Sequence, residues 1–369
     1  VSRPDIAARL PDFPWDSLAE AKARAAAHPG GIVDLSIGAP VDPVPEVIRA
    51  ALASEPGQAP GYPATWGTEE LRTAFVDAMA RRYGVTGLDP DAVLPTIGSK
   101  ELVAWLPTLL GLGPGDVVAL PALAYPTYEV GALLAGASVV RLADGEPPPP
   151  GTRLVWLNSP SNPTGRVQGA AELRAAVAAA RAAGAVVASD ECYLALSDPP
   201  HRAVSVLHES VRDGSFDGLL AVHSLSKSSN LAGYRAGFVT GDPRLVAALL
   251  EVRKHAGMIV PRPVQSAMLA GVRDDEHVRT QWALYRARRE RLGRALAAAG
   301  LKIEHSEAGL YLWATAGEHC RATIDRLAAR GILAAPGEFY GPSGAEYVRL
   351  AVTATDERID EAARRLREP

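Results

Sequence analysis

The middle of the chain alternates short β-branched runs with Ala-rich amphipathic stretches. Apolar runs at 93–97, 117–120, 138–141, 154–157, 185–189, 219–224 and 236–240 have strand length and are bounded by turn-forming or polar residues. Between several of them, 100–110, 128–135 and 170–183 read as helices, the last ended by Gly184 in a C-cap position. Seven strands with interleaved helices predict an α/β fold on a mainly parallel seven-stranded sheet covered on both faces. In such sheets ligands bind where the strands end, so the loops after these strands are the place for chemistry. The chain ends carry a different pattern. Residues 1–40 are punctuated by Pro and Gly, and Pro11-Asp12-Phe13-Pro14-Trp15 reads as an extended arm. From about Pro261, long charged helices reach Gly300 and precede short strands near 302–306, 310–313, 332–334 and 347–352. This predicts a large domain over 41–260 and a smaller α+β domain built from both termini, 1–40 and 261–369. Four prolines at 147–150 read as a stiff surface loop.

Composition narrows the class. The 369 residues are 22% charged with a formal net charge of −4, so nothing supports a nucleic-acid or other polyanion partner. Cys192 and Cys320 cannot build a disulfide framework and fit a reducing compartment. The opening Val-Ser-Arg-Pro-Asp-Ile-Ala-Ala-Arg-Leu lacks a basic-then-apolar leader. The apolar stretch 102–123 is cut by Pro107, Pro114 and Pro121 and carries Asp116, which argues against a membrane span. A cytoplasmic location is the expectation. Of 38 Lys and Arg residues only Lys22, Lys100, Lys227, Lys254 and Lys302 are lysines. Codon bias explains such scarcity in general, but it leaves few amines for chemistry that Arg cannot perform.

The most informative segment is Ser224-Leu225-Ser226-Lys227, which follows a buried-looking strand and has Arg235 eight positions on. A Lys desolvated beside another cation releases its proton more readily, and the free amine is a nucleophile. Ser-x-Ser-Lys with this Arg is a Schiff-base lysine context for pyridoxal 5′-phosphate (PLP), the hydroxyls and Arg235 holding phosphate. Asn162-Pro163-Thr164-Gly165 fixes a tight turn after the strand at 154–157. It reads as a simple turn, or as one whose Asn162 amide donates to an anionic oxygen such as a PLP phenolate. Asp190 ends another strand, where an acid binds a metal or orients a cofactor. No His-rich ligand set accompanies it, which disfavours metal, whereas pairing with a pyridinium nitrogen keeps that nitrogen protonated. Tyr193, three residues on, can reach the phenolate oxygen, and Cys192 reads as packing. Gly98-Ser99-Lys100 joins a strand to a helix start, a natural phosphate site without P-loop spacing; Lys100 is the rival Schiff-base lysine, but beside phosphate it reads better as a backbone-placed or charge-balancing residue. Tyr125 is either a ring-stacking or a core residue. Arg349 lies in an apolar strand and needs an anion, either a substrate carboxylate or an internal Asp or Glu.

In order and separation these segments resemble the fold-type I, class I/II PLP-dependent aminotransferases over essentially the whole chain. Ile37-Gly38, Tyr62 with Gly67 and Leu71-Arg72, and Tyr125-Pro126 extend the likeness. The resemblance implies that Lys227 bonds PLP and shuttles the substrate proton, that Asp190 pairs with the ring nitrogen, and that Asn162 and Tyr193 contact the phenolate oxygen. It implies that Tyr125 stacks on the ring and that Gly98, Ser99, Lys100, Ser224, Ser226 and Arg235 cradle the phosphate. Arg349, with Gly38 and Asn162, would grip the substrate α-carboxylate. A homodimer with shared active sites, Tyr62 crossing from the neighbouring subunit, follows from the same resemblance. More narrowly, the runs 10–18, 34–45 and 61–67 resemble the actinobacterial, DapC-type succinyldiaminopimelate aminotransferases. That implies amino transfer between N-succinyl-LL-2,6-diaminopimelate and 2-oxoglutarate, yielding glutamate, in diaminopimelate and lysine biosynthesis. The alternatives are an aminotransferase for aspartate, aromatic amino acids or N-acetylornithine, and a PLP-dependent C–S lyase on the same fold. A non-catalytic PLP-sensing regulator would need an added DNA-binding domain, which the short arm before the family core does not lead one to expect.

Overall fold

The structure is a computed structural model and describes residues 7–54 and 58–368. Residues 1–6, within the opening that was read for a leader, lie outside the described residues. In chain order the strands are β1 (Val33–Asp34), β2 (Val93–Ile97), β3 (Val117–Pro121), β4 (Ser138–Leu142), β5 (Thr152–Asn158), β6 (Val186–Asp190), β7 (Leu219–Ser224) and β8 (Ala236–Gly241). They continue with β9 (Lys302–Glu304), β10 (Tyr311–Thr315), β11 (Ile332–Leu333), β12 (Ala335–Pro336) and β13 (Tyr347–Ala351).

The seven strands expected from the apolar runs form one sheet of order β2-β8-β7-β6-β5-β3-β4. Only β8 runs antiparallel to its neighbours β2 and β7, the remaining pairs being parallel. The apolar runs are continuous because side chains leave alternate faces and both faces are covered. Leu154 and Trp156 of β5 join Leu220 and Val222 of β7 against Leu102, Leu106, Tyr128 and Leu249. Val155 and Leu157 turn the other way, with Val187, Leu219 and Phe238, onto Leu71, Phe75, Leu173 and Val177. The helices expected at 100–110, 128–135 and 170–183 are Ser99–Leu109, Thr127–Ala135 and Ala170–Ala182.

The C-terminal strands form a second, antiparallel sheet of order β12-β13-β10-β9. Both ends of the chain meet beside it, where β1 pairs in parallel with β11. Leu18, Ala25 and Leu35 share its core with Leu296, Leu312, Leu350 and Ile359. Two features depart from the expected pattern. Pro14–Leu18 is a 3-10 turn leading into a helix at Ala19–Ala26, so only the start of the expected arm is extended. Pro14 explains the turn, since its fixed φ suits a first helical position that needs no N–H. The helix Arg262–Arg273 lies beyond residue 260, yet Val264, Ala267, Met268 and Val272 pack with Ile48, Leu71 and Phe75 in the large-sheet core. Among the described residues no helix is long and apolar enough to cross a membrane.

Candidate active site

The carboxyl ends of β5, β6 and β7 carry Asn158, Asp190 and Ser224, the first two directly paired and Ser224 two residues beyond Val222, the partner of Asp190. Asp190 is 4% exposed. Its Oδ2 accepts the Tyr128 hydroxyl at 2.9 Å, and its Oδ1 accepts the Cys192 N–H at 3.2 Å. Burial pushes this carboxyl up, opposed by those two donors. Among the described residues no Lys or Arg pairs with it, although a buried carboxylate is costly without a cation. The Asn158 amide donates to the Asp190 carbonyl at 2.8 Å, and Asn158 Oδ1 accepts the Asn162 N–H at 2.7 Å. One asparagine thereby ties the Asn162 turn to the end of β6.

Arg349 sits on β13 at 2% exposure. Its Nη1 donates to Asn162 Oδ1 and its Nη2 to the Ser36 carbonyl, both at 2.7 Å, while its buried Nε has no partner. The guanidinium lies 4.0 Å over the Tyr311 ring and 4.9 Å over that of Tyr340. No carboxylate among the described residues pairs with it, so the internal ion pair left open by the sequence is not formed. A fully buried, permanent cation held by neutral groups is a site for a small anion.

Tyr311 links the two sides. Its hydroxyl meets that of Tyr193 at 3.0 Å, and a Cβ on Gly38 would stand 2.4 Å from it, so Gly38 gives the phenol its room. Lys227 Nζ donates to the Gly38 carbonyl. Lys227, Gly38, Tyr311, Tyr193, Arg349, Asn162 and Asp190 thus form one connected cluster. Tyr125 lies at its edge, its ring 5.7 Å from Tyr128 in edge-on contact, with its hydroxyl pushed up to about 12 by burial.

A second group lies where β2 and β7 end and the antiparallel β8 begins. Gly98, at φ +74, precedes the helix Ser99–Leu109, whose N-terminus has no side-chain cap. A Cβ on Gly98 would come 2.3 Å from Arg235 Nη2, so the guanidinium lies against a bare glycine at an open helix start. The Ser224 hydroxyl accepts the Ser226 N–H at 3.1 Å, and both serines are buried. An open helix N-terminus, a guanidinium and two hydroxyls suit a phosphate.

Two expected site residues stand apart. The Lys100 side chain is exposed, its Nζ 6.0 Å from the Phe13 ring, so only its backbone belongs to the helix start. Tyr62 is 97% exposed and touches none of the cluster. Conversely, Ser36, Tyr128, Asn158, Tyr311 and Tyr340 hold the site together but were not singled out as candidates. The three tyrosines lie in apolar strand, helix or turn patterns that look like ordinary core. Asn158 carried a usable signal, a polar residue ending a fully buried strand.

The model of the aminotransferases of class I and II matches residues 31–366. The chain belongs to this family. It is therefore a pyridoxal-phosphate-dependent aminotransferase of fold type I. Its residues fit that cofactor on their own chemistry, with an amine, an unpaired buried carboxylate and a glycine-based anion cradle around one cleft. The chain is 60% identical to the probable aminotransferase Rv1178 of Mycobacterium tuberculosis, over 99% of this chain and 87% of that one. It is 57% identical to the 4-dedimethylamino-4-oxo-anhydrotetracycline transaminase OxyQ of Streptomyces rimosus, over 97% and 99%. It is 32% identical to an LL-diaminopimelate aminotransferase of Dehalococcoides mccartyi, over 97% and 96%. Among solved structures, a probable N-succinyldiaminopimelate aminotransferase from Thermus thermophilus superposes with a TM-score of 0.85 at 30% identity, covering 96% of this chain and 99% of that one.

Proposed function

We propose that the enzyme transfers the amino group of N-succinyl-LL-2,6-diaminopimelate to 2-oxoglutarate, releasing glutamate. The observation that carries the reading is Arg349, a buried guanidinium with no carboxylate partner, which suits the α-carboxylate that both partners of such an exchange present. The diaminopimelate named in relatives at 30–32% identity supports this choice of donor. OxyQ, at 57%, favours a second reading in which a polycyclic ketone is the amino acceptor. Its acceptor differs from 2-oxoglutarate in size and charge, so one assay separates the two.

Pyridoxal phosphate supplies the electron sink that stabilises a carbanion at the substrate Cα. In our reading Asp190, the carboxyl ending β6, would keep a proton on the ring nitrogen, and Tyr128 and Cys192 fix its orientation. Gly98, Ser99, Lys100 through its backbone, Ser224, Ser226 and Arg235 would hold the phosphate, and Tyr125 would lie against the ring. Asn162 spends its Oδ1 on Arg349, which leaves its amide donors for the phenolate oxygen, with Tyr193 on the other side. Gly38 and Arg349 orient the substrate so that the Lys227 amine, already at the Gly38 carbonyl, removes and returns the Cα proton. We further propose a large unit of 41–260, against whose core the helix Arg262–Arg273 also packs, a small one of 1–40 and 261–369, and a homodimer in which the exposed Tyr62 reaches its partner's site.

The test is an amino-transfer panel. N-succinyl-LL-2,6-diaminopimelate, LL-diaminopimelate, aspartate, aromatic amino acids and N-acetylornithine are each offered with 2-oxoglutarate, and glutamate is offered with a 4-oxo-anhydrotetracycline. The proposal expects the succinylated donor to give the highest kcat/KM. A tenfold preference for the tetracyclic ketone, or release of pyruvate and ammonia from a sulfur amino acid, would sink it.

A further inference from the structure

Directly behind Asp190 the sheet buries a second carboxyl that the reaction does not use. Glu191 is 2% exposed, and its N–H donates to the Val222 carbonyl at 2.8 Å, so its side chain leaves the sheet on the face opposite to that of Asp190. One oxygen accepts the Val206 N–H at 2.7 Å. The other, Oε2, stands 3.4 Å from His223 Nε2, and neither of these buried atoms has any other hydrogen-bond partner. The His223 ring is enclosed by Phe75 at 5.4 Å and Tyr83 at 6.4 Å. A proton lies between these atoms in one of two ways, given by a neutral His223 from Nε2 to an ionised Glu191 or by a protonated Glu191 to His223, and a buried carboxyl with no Lys or Arg beside it favours the second.

We propose that Glu191 and His223 form a buried pair in which Glu191 holds the proton up to neutral pH and so, below it, keeps Asp190 the only anion at the end of β6, with Glu191 acting as a positioning residue for the charge on Asp190. Burial and the neighbouring Asp190 favour this, while the hydrogen bonds of Val206, Ser205 and Ser189 to the carboxyl oppose it without outweighing burial. Asp190 and Ser189 adjoin it on β6, His223 on β7, Ser205 and the Val206 N–H in the following loop, and Tyr83 on the helix Glu69–Tyr83. Arg82 and Asp275 act on Tyr83. None of the adjoining side chains is a Lys or Arg, and the adjacent Asp190 disfavours a second negative charge. Burial pushes Glu191 up to about 7 and His223 down to about 3, which places the proton on the carboxyl. Once that proton leaves, two carboxylates occupy consecutive residues, and the proton on any cation paired with Asp190 is held more tightly.

The inference rests on the cofactor reading for its consequence but not for the proton itself, so two readouts separate the failures. Infrared spectra of the cofactor-loaded protein are recorded against pH for wild type, Glu191→Gln and Asp190→Asn. The expected result is a protonated-carboxyl stretch that fades as pH rises through neutrality, persists in Asp190→Asn and is missing in Glu191→Gln. A band that persists in Glu191→Gln and is lost in Asp190→Asn overturns the proposal. So does a wild-type spectrum with no such band. Loss of the fold in Glu191→Gln is covered by 15N NMR of wild-type His223, whose Nε2 shift must move over the same pH range, and a static shift also overturns it. The visible absorbance of the bound cofactor gives the consequence: in Glu191→Gln its pH transition moves down by about one unit. If the infrared results hold but that transition coincides with wild type, the claim that the pair governs Asp190 is refuted. If no cofactor binds at all, it is the cofactor reading that has failed.

Discussion

Replacing Gly98 by alanine separates a phosphate cradle from an ordinary turn glycine. The new methyl would stand 2.3 Å from Arg235 Nη2 and 2.7 Å from Cζ, where carbon contacts normally begin near 3.4 Å. The guanidinium must therefore retreat by about 1 Å, which is enough to break a hydrogen bond aimed at a phosphate oxygen. Charge-assisted bonds of this kind contribute about 1.5–3 kcal/mol, so cofactor affinity is expected to fall about 10- to 100-fold. Backbone strain adds a separate cost. Gly98 has φ +74 and ψ 159, a region open essentially to glycine alone, and alanine there costs about 1–3 kcal/mol of stability. Strain alone could mimic a weakened site, so the assay is a double-mutant cycle read by cofactor titration. Gly98→Ala is measured in the wild-type and Arg235→Ala backgrounds, with Gly87→Ala as a control, since Gly87 has φ +75 and nothing within 4 Å of its missing Cβ. If Gly98 acts by leaving room for Arg235, its substitution loses most of its effect on affinity once the guanidinium is gone. Equal losses in both backgrounds, or an equal loss in Gly87→Ala, would refute the reasoning.

Lys227→Ala is expected to abolish amino transfer and the absorbance of the lysine-bound cofactor, while Lys100→Ala keeps both; absorbance spectra and a coupled glutamate assay decide between the two lysines. Arg349→Lys, which cannot reproduce the contacts to Asn162 and Ser36 while gripping a carboxylate, is expected to raise KM for amino-acid substrates about 10- to 100-fold and leave cofactor absorbance intact, as read by steady-state kinetics and spectra. Tyr128→Phe removes a hydrogen bond from the buried Asp190 carboxylate and is expected to lower unfolding stability by about 1.5–3 kcal/mol, measured in urea at neutral pH; an unchanged midpoint contradicts it. Glu191 and His223 pull stability in opposite directions with pH. The stability that a protonated Glu191 contributes is complete below 4.5 and lost as pH rises to about 7, whereas that of neutral His223 is complete above 6.5 and lost as pH falls towards about 3. Between 4.5 and 6.5 the two slopes offset each other, so Glu191→Gln should gain on wild type by up to about 1.4 kcal/mol per pH unit there, and a pH-independent difference in urea midpoints would contradict the assignment.

The central sheet was legible because its strands are buried on both faces, so unbroken runs such as Leu154–Leu157 stood out against Ala-rich helices. Residues whose chemistry contrasts with their surroundings were legible for the same reason, as with Asp190 and Lys227 at strand ends and Arg349 inside an apolar strand. What escaped is the reverse case, a side chain whose type matches its surroundings. Tyr311 alternates in register with the core residues Leu312 and Ala314, and only the folded chain shows that its hydroxyl meets Tyr193, its ring lies under Arg349 and Gly38 makes room for it. Tyr128 reads as a core aromatic on an apolar helix because its hydroxyl partner is 62 residues away. Lys100 is the opposite case. The sequence places it correctly at a helix start, but on the first turn of a helix the backbone N–H groups face along the axis while the side chain points out and back. A phosphate-binding helix start therefore asks nothing of the side chain at Lys100, whereas the anion grip of Arg349 depends wholly on its own. Position in the sequence alone could not separate the two cases; burial does, since one cation is in solvent and the other is enclosed without a carboxylate.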